Sequence, residues 1–230
     1  MLIYNDNDIM GVIFDLDGTL IDSLSSYYIY FNNGLEGIGL QPVSKGLLFK
    51  FMGDGISLRG ILRTLIPDDR DESVVETVAD GILRRFMEID MELPLLPGVR
   101  DVLAFLKASK TAVGVATGRP SGADYEWERF RKAKIADFID VVVTASEVEE
   151  RKPAPDSIIE CSRKMNTPPH NCLVVGDSVS DILAAREAGA LPVAVATGVE
   201  DSDKLKDEMP AAVLNGLGDL ISLVSIPMEN

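Results

Sequence analysis

Gly11-Val12-Ile13-Phe14-Asp15-Leu16-Asp17-Gly18-Thr19 runs an apolar segment directly into two acids one residue apart. The segment reads as a buried strand, so both carboxylates stand at its mouth, where desolvation and mutual repulsion disfavour charge on the pair. At least one of them must face a cation or carry a proton, which is the starting condition for metal-assisted acid and nucleophile chemistry. Gly18 permits an abrupt backbone turn after the acids, and Asp22-Ser23 offers capping side chains before the next apolar segment. The local order is strand, acidic turn, helix.

Working outward, residues 24–93 show helical spacing and no compact β-branched strand. Leu58, Ile61, Leu62 and Leu65 make one stripe; Val75, Val78, Ala79, Ile82, Leu83 and Phe86 make another. The stretch lies between the turn after Asp22 and the pair Pro94 and Pro97, as an all-helical insert on two connections would. Within it, Gly53 and Gly55 lack the preceding strand and following lysine of a phosphate loop and read as a hinge or substrate-facing turn. From Leu96 onward helices alternate with short apolar strands: Val99–Lys107 as helix, then strands at Ala112–Ala116, Phe138–Val143, Cys172–Val175, Pro192–Val195 and Ala211–Leu214, with helices at Val179–Ala188 and Leu217–Val224. Apolar strands without alternation, separated by helices, indicate a parallel sheet covered on both faces. The expected fold is therefore α/β, a doubly wound parallel sheet over 1–23 and 94–230 with an inserted helical domain over 24–93.

The chain has 230 residues, 46% of them hydrophobic, enough for a sizeable core. Its formal net charge of −15 speaks against nucleic acid or an anionic membrane as partner, and an anionic substrate would need a bound cation or a local basic patch. No run approaches membrane-spanning length and the first ten residues have no signal-peptide pattern, so the expectation is a soluble, cytoplasmic protein. Cys161 and Cys172 form no CxxC pair and read as reduced core thiols rather than a disulfide or zinc pair. His170 is the only histidine, which excludes multi-histidine metal clusters, and its place after Pro168-Pro169 reads as a solvated loop. Chemistry would then rest on carboxylates and lysine.

In a doubly wound sheet, sites gather beyond the carboxyl ends of the strands. Three further polar groups fall there: Thr117-Gly118-Arg119, the segment Arg151-Lys152-Pro153-Ala154-Pro155, and Gly176-Asp177-Ser178-Val179-Ser180-Asp181. Singly they are a turn, a surface charge and helix caps. Together they suit phosphoryl transfer, in which catalysis is mostly positioning and electrostatics. One carboxylate can attack phosphorus, a second can protonate the leaving oxygen and then activate water, and lysine, hydroxyl and backbone amide can hold the equatorial oxygens. If a helix begins near Ser178, Asp177 and Asp181 can both face a cation.

GVIFDLDGTLIDS, VATG, RKPAP and VVGDSVSD, in this order, resemble the four motifs of the haloacid dehalogenase (HAD) superfamily, in its phosphatase-like members with a helical cap after the first motif. The resemblance covers nearly the whole chain. It implies Asp15 as a nucleophile that becomes an aspartyl phosphate and Asp17 as general acid and base. Thr117, the Gly118 amide and Lys152 would bind the phosphoryl group of a small phosphorylated metabolite. Mg²⁺ would be held by the Asp15 carboxylate, the Asp17 main-chain carbonyl and the Asp177 carboxylate, with Asp181 direct or through water.

Where many relatives have Asn after the second-motif Thr or Ser, this chain has Gly118 followed by Arg119-Pro120, and Arg119 either compensates or points to solvent. The acid at position 17 argues against the dehalogenase branch. A phosphomutase of the β-phosphoglucomutase kind stays open, although a Gly followed shortly by Ser-Arg is not evident around Gly53-Asp54-Gly55-Ile56. Arg59 and Arg63 could reach a substrate anion or simply form a solvated helix face, and Tyr27, Tyr28 and Tyr30 read as packing in the insert, with room for one of them to line a cavity. A phospho-receiver domain also uses Asp, Thr or Ser, Lys and Mg²⁺, but its phospho-acceptor lies on a later strand than its acidic pair. A silent binding protein would not need every catalytic residue type.

Overall fold

The computed structural model describes residues 2–5, 7–53, 56–67 and 71–224. The chain divides into two compact units, Met1–Ile21 with Pro94–Asn230, and Asp22–Leu93.

The first unit opens with a short antiparallel hairpin, β1 (Leu2–Tyr4) and β2 (Asn7–Ile9), and enters its main sheet at β3 (Gly11–Phe14). The remaining strands are β4 (Ala112–Thr117), β5 (Val141–Thr144), β6 (Cys172–Gly176), β7 (Leu191–Val195) and β8 (Ala212–Leu214). They form a parallel six-stranded sheet in the order β5-β4-β3-β6-β7-β8. The first main strand is central and chain order reverses beside it, the doubly wound arrangement whose switch point opens a crevice at the carboxyl ends. All residues of β3 and β6 are buried, which requires cover on both faces. On one face Ile13, Ala116, Val143 and Val174 pack with Ile158 and Cys161 of α7 (Asp156–Lys164) and Ala184 and Ala185 of α8 (Val179–Glu187). The unit also holds α5 (Val99–Ala108), α6 (Ala123–Lys132), α9 (Ser202–Asp207) and α10 (Leu220–Leu223).

The second unit is helical throughout its described residues: α1 (Ser23–Glu36), α2 (Lys45–Gly53), α3 (Leu58–Leu65) and α4 (Glu72–Ile89). Asp22 caps α1 by accepting the Ser25 N–H at 3.0 Å, which satisfies one of the donors every helix start leaves open. Phe31, Leu35, Leu48, Ile61, Leu62, Val75, Val78, Ala79 and Ile82 make its core. Leu83, assigned to the same stripe from sequence, is 39% exposed. At 3.6 residues per turn it falls roughly 80° from the stripe's centre, on the flank of α4. Arg59 and Arg63 do not form a simple solvated face either: Arg59 donates to Glu76 at 2.6 Å and Asp80 at 2.9 Å, and Arg63 Nε donates to Glu72 at 2.7 Å, tying α3 to α4. Asp54 and Gly55 of the expected hinge lie outside the described residues. Among those residues no helix is long and apolar enough to cross a membrane.

Cys161 and Cys172 are free and buried, and His170 is exposed in a short turn before β6. The strand expected from Phe138 begins instead at Val141, because Asp140 turns its carboxylate onto the Val113 N–H at 2.8 Å and pairing with β4 starts one residue later. The helix expected over Leu217–Val224 splits into a tight turn at Leu217–Asp219 and the four residues of α10.

Helix α6 carries a fully buried ion pair, Arg129 Nε to Glu126 Oε2 at 2.7 Å, and Ser121 Oγ donates to the other oxygen, Glu126 Oε1, at 2.6 Å. Removing one charge strands the other in a low dielectric, whereas replacing both does not. Arg129→Met should therefore lower unfolding stability by ~3–5 kcal/mol. The double variant Glu126→Gln/Arg129→Met should recover most of that loss when both are titrated with urea.

Candidate active site

Asp15 follows the last residue of β3 and Asp177 the last residue of β6, so adjacent parallel strands deliver both carboxylates to the same edge of the sheet. Asp181 reaches that edge from the first turn of α8, where it closes a capping box with Ser178: Ser178 N and Oγ donate to Asp181 Oδ2 at 3.2 and 2.6 Å. Oxygens of Asp15, Asp177 and Asp181 all lie within 4.8 Å of one another.

Lys152 meets this cluster with its three donors fully used: Asp15 Oδ1 at 2.8 Å, Asp181 Oδ1 at 2.6 Å and the Ala116 carbonyl at 2.7 Å. Burial works against its charge, but the two carboxylates outweigh burial and raise its pKa. Three carboxylates against one ammonium leave the cluster acidic. Burial, with the charges of Asp181 and Asp17, pushes Asp15 from its ordinary 3.8 to about 7 despite the opposing pull of Lys152. Asp177 is raised well above the usual carboxylate range by burial first, then by Asp15 and Asp181, with a single side-chain bond from Thr19 Oγ1 at 3.1 Å in compensation. An all-oxygen, buried and under-neutralised donor set suits a hard divalent cation such as Mg²⁺.

Asp17 stands apart from the three clustered carboxylates. Its side chain is 37% exposed and accepts two bonds from Arg119, Nε to Oδ2 and Nη2 to Oδ1, both at 2.7 Å. Of the two readings left open for Arg119, pointing to solvent is excluded. Thr117 ends β4 beside this pair, 2% exposed, with its hydroxyl oxygen accepting the Arg119 N–H at 3.2 Å. Gly118 is exposed, with open space where a side chain would be.

The sheet edge thus carries Asp15, Asp17, Thr117, Gly118, Lys152, Asp177 and Asp181, and a family model for haloacid dehalogenase-like hydrolases matches residues 12–195, which include them. The chain belongs to that family. A phosphoglycolate phosphatase of Pseudomonas fluorescens is 31% identical over 220 residues, covering 91% of this chain and 78% of the relative. One from Nitrosococcus oceani is 26% identical over 218 residues, 93% of this chain and 96% of the relative. The crystal structure of a HAD-superfamily hydrolase, subfamily IA, from Geobacter sulfurreducens shares the fold with a TM-score of 0.72 at 24% identity, covering 95% and 98% of the two chains.

In this member of the family, four residues without an assigned role also shape the edge. Thr19 and Ser178 supply the hydroxyls bonded to Asp177 and Asp181, and Thr197 Oγ1 donates to the Gly18 carbonyl at 2.5 Å. Gly198 is the fourth: a Cβ there would lie 1.8 Å from Asp177 Oδ2. Thr19 and Ser178 lie within the stretches read from the sequence, whereas the only sequence signal of Thr197-Gly198 is position, after β7, the neighbour of β6, at the same carboxyl edge. Gly198→Ala should displace the Asp177 carboxylate and cost ~1–3 kcal/mol through overpacking. Gly216→Ala, where nothing lies within 4 Å, should melt like wild type. Divalent-cation binding followed by calorimetry should weaken only in the first variant.

Proposed function

We propose that this chain is a Mg²⁺-dependent phosphatase that hydrolyses a small phosphomonoester through an aspartyl phosphate on Asp15. The observation that carries the reading is the buried cluster of Asp15, Asp177 and Asp181 facing a single Lys152, with a second acid, Asp17, held beside it by Arg119. The names of the curated relatives, phosphoglycolate phosphatases, support the substrate class.

Asp15 supplies the nucleophilic oxygen: its carboxylate forms the new bond to phosphorus as the bond from phosphorus to the leaving oxygen breaks, and Asp17 gives that oxygen its proton. In the second half Asp17 takes a proton from water, the water oxygen bonds phosphorus, and the bond from phosphorus to Asp15 breaks, releasing phosphate and regenerating both acids. Lys152, the Thr117 hydroxyl and the exposed Gly118 amide hold the equatorial oxygens. The residues that would hold Mg²⁺ are Asp15, the main-chain carbonyl of Asp17 and Asp177, with Asp181 adjacent; when bound, the ion offsets repulsion between the carboxylate and the anionic ester. The helical insert, residues 24–93, selects among substrates in this reading.

Asp15→Asn should remove phosphate release by several orders of magnitude with little change in melting temperature, and phosphoenzyme trapped during turnover should map by mass spectrometry to Asp15. A label on any other residue rejects the nucleophile. A second test uses Asp177→Asn, which relieves part of the like-charge repulsion. In chelator it should melt no lower than wild type, yet gain less as Mg²⁺ is added, because stabilisation grows with concentration over dissociation constant. Equal gains in the two proteins reject Asp177 as a ligand.

A further inference from the structure

Residues 118–122 join β4 to α6, and Gly118, Pro120 and Gly122 among them are exposed. A Cβ on either glycine would meet nothing within 4 Å among the described residues, so packing does little to hold this loop. Yet it carries two groups of the candidate site: the Gly118 amide, and Arg119, whose Nε and Nη2 donate to the two oxygens of Asp17 at 2.7 Å. Hydrogen bonds have to fix it instead. At its start the Arg119 N–H donates to Thr117 Oγ1 at 3.2 Å, and the Arg119 carbonyl accepts the Ala145 N–H at 3.0 Å. At its far end Ser121 Oγ donates to Glu126 Oε1 at 2.6 Å.

That far acceptor lies in the interior. Glu126 is fully buried, and Arg129, which donates Nε to Glu126 Oε2 at 2.7 Å, is 1% exposed. Two charges held at this depth gain little stability over an apolar pair of similar size. What an apolar pair cannot supply is an acceptor for Ser121, and a hydrogen bond to a charged group is of the stronger kind. Beside Arg129, the ring of Phe130 is fully buried and meets Trp127 edge-on at 6.0 Å, so the anchor stands on packed helix. We infer that Ser121 and Glu126 are positioning residues for the general acid: Glu126, held by Arg129, ties the loop at Ser121, and the tied loop keeps the Arg119 guanidinium where it orients Asp17. The inference rests on the phosphatase reading, in which Asp17 protonates the leaving oxygen. Loosening the tether then costs most where that proton is needed most.

The test measures kcat/KM, which reports the step in which the leaving oxygen departs, together with melting temperature, for wild type, Ser121→Ala and Ser121→Thr with Mg²⁺ present. Two esters of similar shape are compared: 4-nitrophenyl phosphate, whose leaving oxygen needs little protonation, and 4-nitrobenzyl phosphate, whose leaving oxygen departs poorly without it. Ser121→Ala removes the tether and no charge. It should lower kcat/KM for the benzyl ester by about tenfold, a part of the ~10²–10⁴ that a positioned acid contributes, and leave the phenyl ester within about threefold of wild type. Its melting temperature should stay close to wild type, and Ser121→Thr, which keeps the hydroxyl, should restore the ratio of the two esters. Glu126→Leu/Arg129→Met takes away the acceptor without leaving a buried charge and should give the ratio of Ser121→Ala; if it melts far below wild type, the Ser121 variants decide alone. Turnover of both esters by wild type, with a ratio that Ser121→Ala does not change or that Ser121→Thr does not restore, overturns the positioning role while the phosphatase reading stands. An equal loss on the two esters that follows a fall in melting temperature also overturns it, and assigns the tether to the stability of α6. Release from neither ester by wild type overturns both.

Discussion

Three buried carboxylates share one ammonium at the carboxyl edge of this sheet, and the rest of the edge is arranged around that imbalance. Lys152 spends its three donors on Asp15, Asp181 and the Ala116 carbonyl, and among the described residues Asp177 pairs with no side-chain cation and accepts a hydroxyl bond from Thr19. Burial first, with the charges of Asp181 and Asp17, pushes the pKa of Asp15 up to about 7 even with Lys152 in contact. The cluster could hold a metal ion, and an oxygen-only donor set of this kind suits a hard divalent cation.

The fold creates the imbalance by geometry rather than by local sequence alone. Adjacent parallel strands β3 and β6 pair Phe14 with Val175, so Asp15 follows opposite Gly176 and Asp177 comes one residue further along the same edge. The approach leaves no room for ordinary side chains. A Cβ on Gly18 would lie 2.5 Å from Asp177 Oδ2, and one on Gly198 closer still. Gly18 has a second reason to be glycine, its φ of +76°, which turns the chain away after Asp17.

The elements that position the site were legible because each is an apolar run ending in polar residues. Val12-Ile13-Phe14 before Asp15 and Leu173-Val174-Val175 before Gly176-Asp177 announce buried parallel strands, and Asp181 four residues beyond Asp177 announces the capped turn of α8. What escaped was encoded differently. The β1–β2 hairpin has three residues per strand, too few for alternation to register. Helix α6 is rich in charge, and Glu126 and Arg129 look like surface until the fold buries them against each other. Thr197-Gly198 has no composition to mark it, only its place after β7. Arg119 was visible as a departure from the family pattern, but its direction depends on the anchoring of its backbone by Thr117 and Ala145, which no linear reading contains.

With a net charge of −15, an anionic substrate gains nothing from the chain's overall field, so recruitment falls to individual cations. The two that touch the acids of the edge, Lys152 and Arg119, are already paired: Lys152 to Asp15 and Asp181, Arg119 to Asp17. Arg59 and Arg63 are likewise engaged, with the acids of α4. On the proposed phosphatase reading, an incoming phosphoryl group would share or take the donors that Lys152 gives to Asp15 and Asp181.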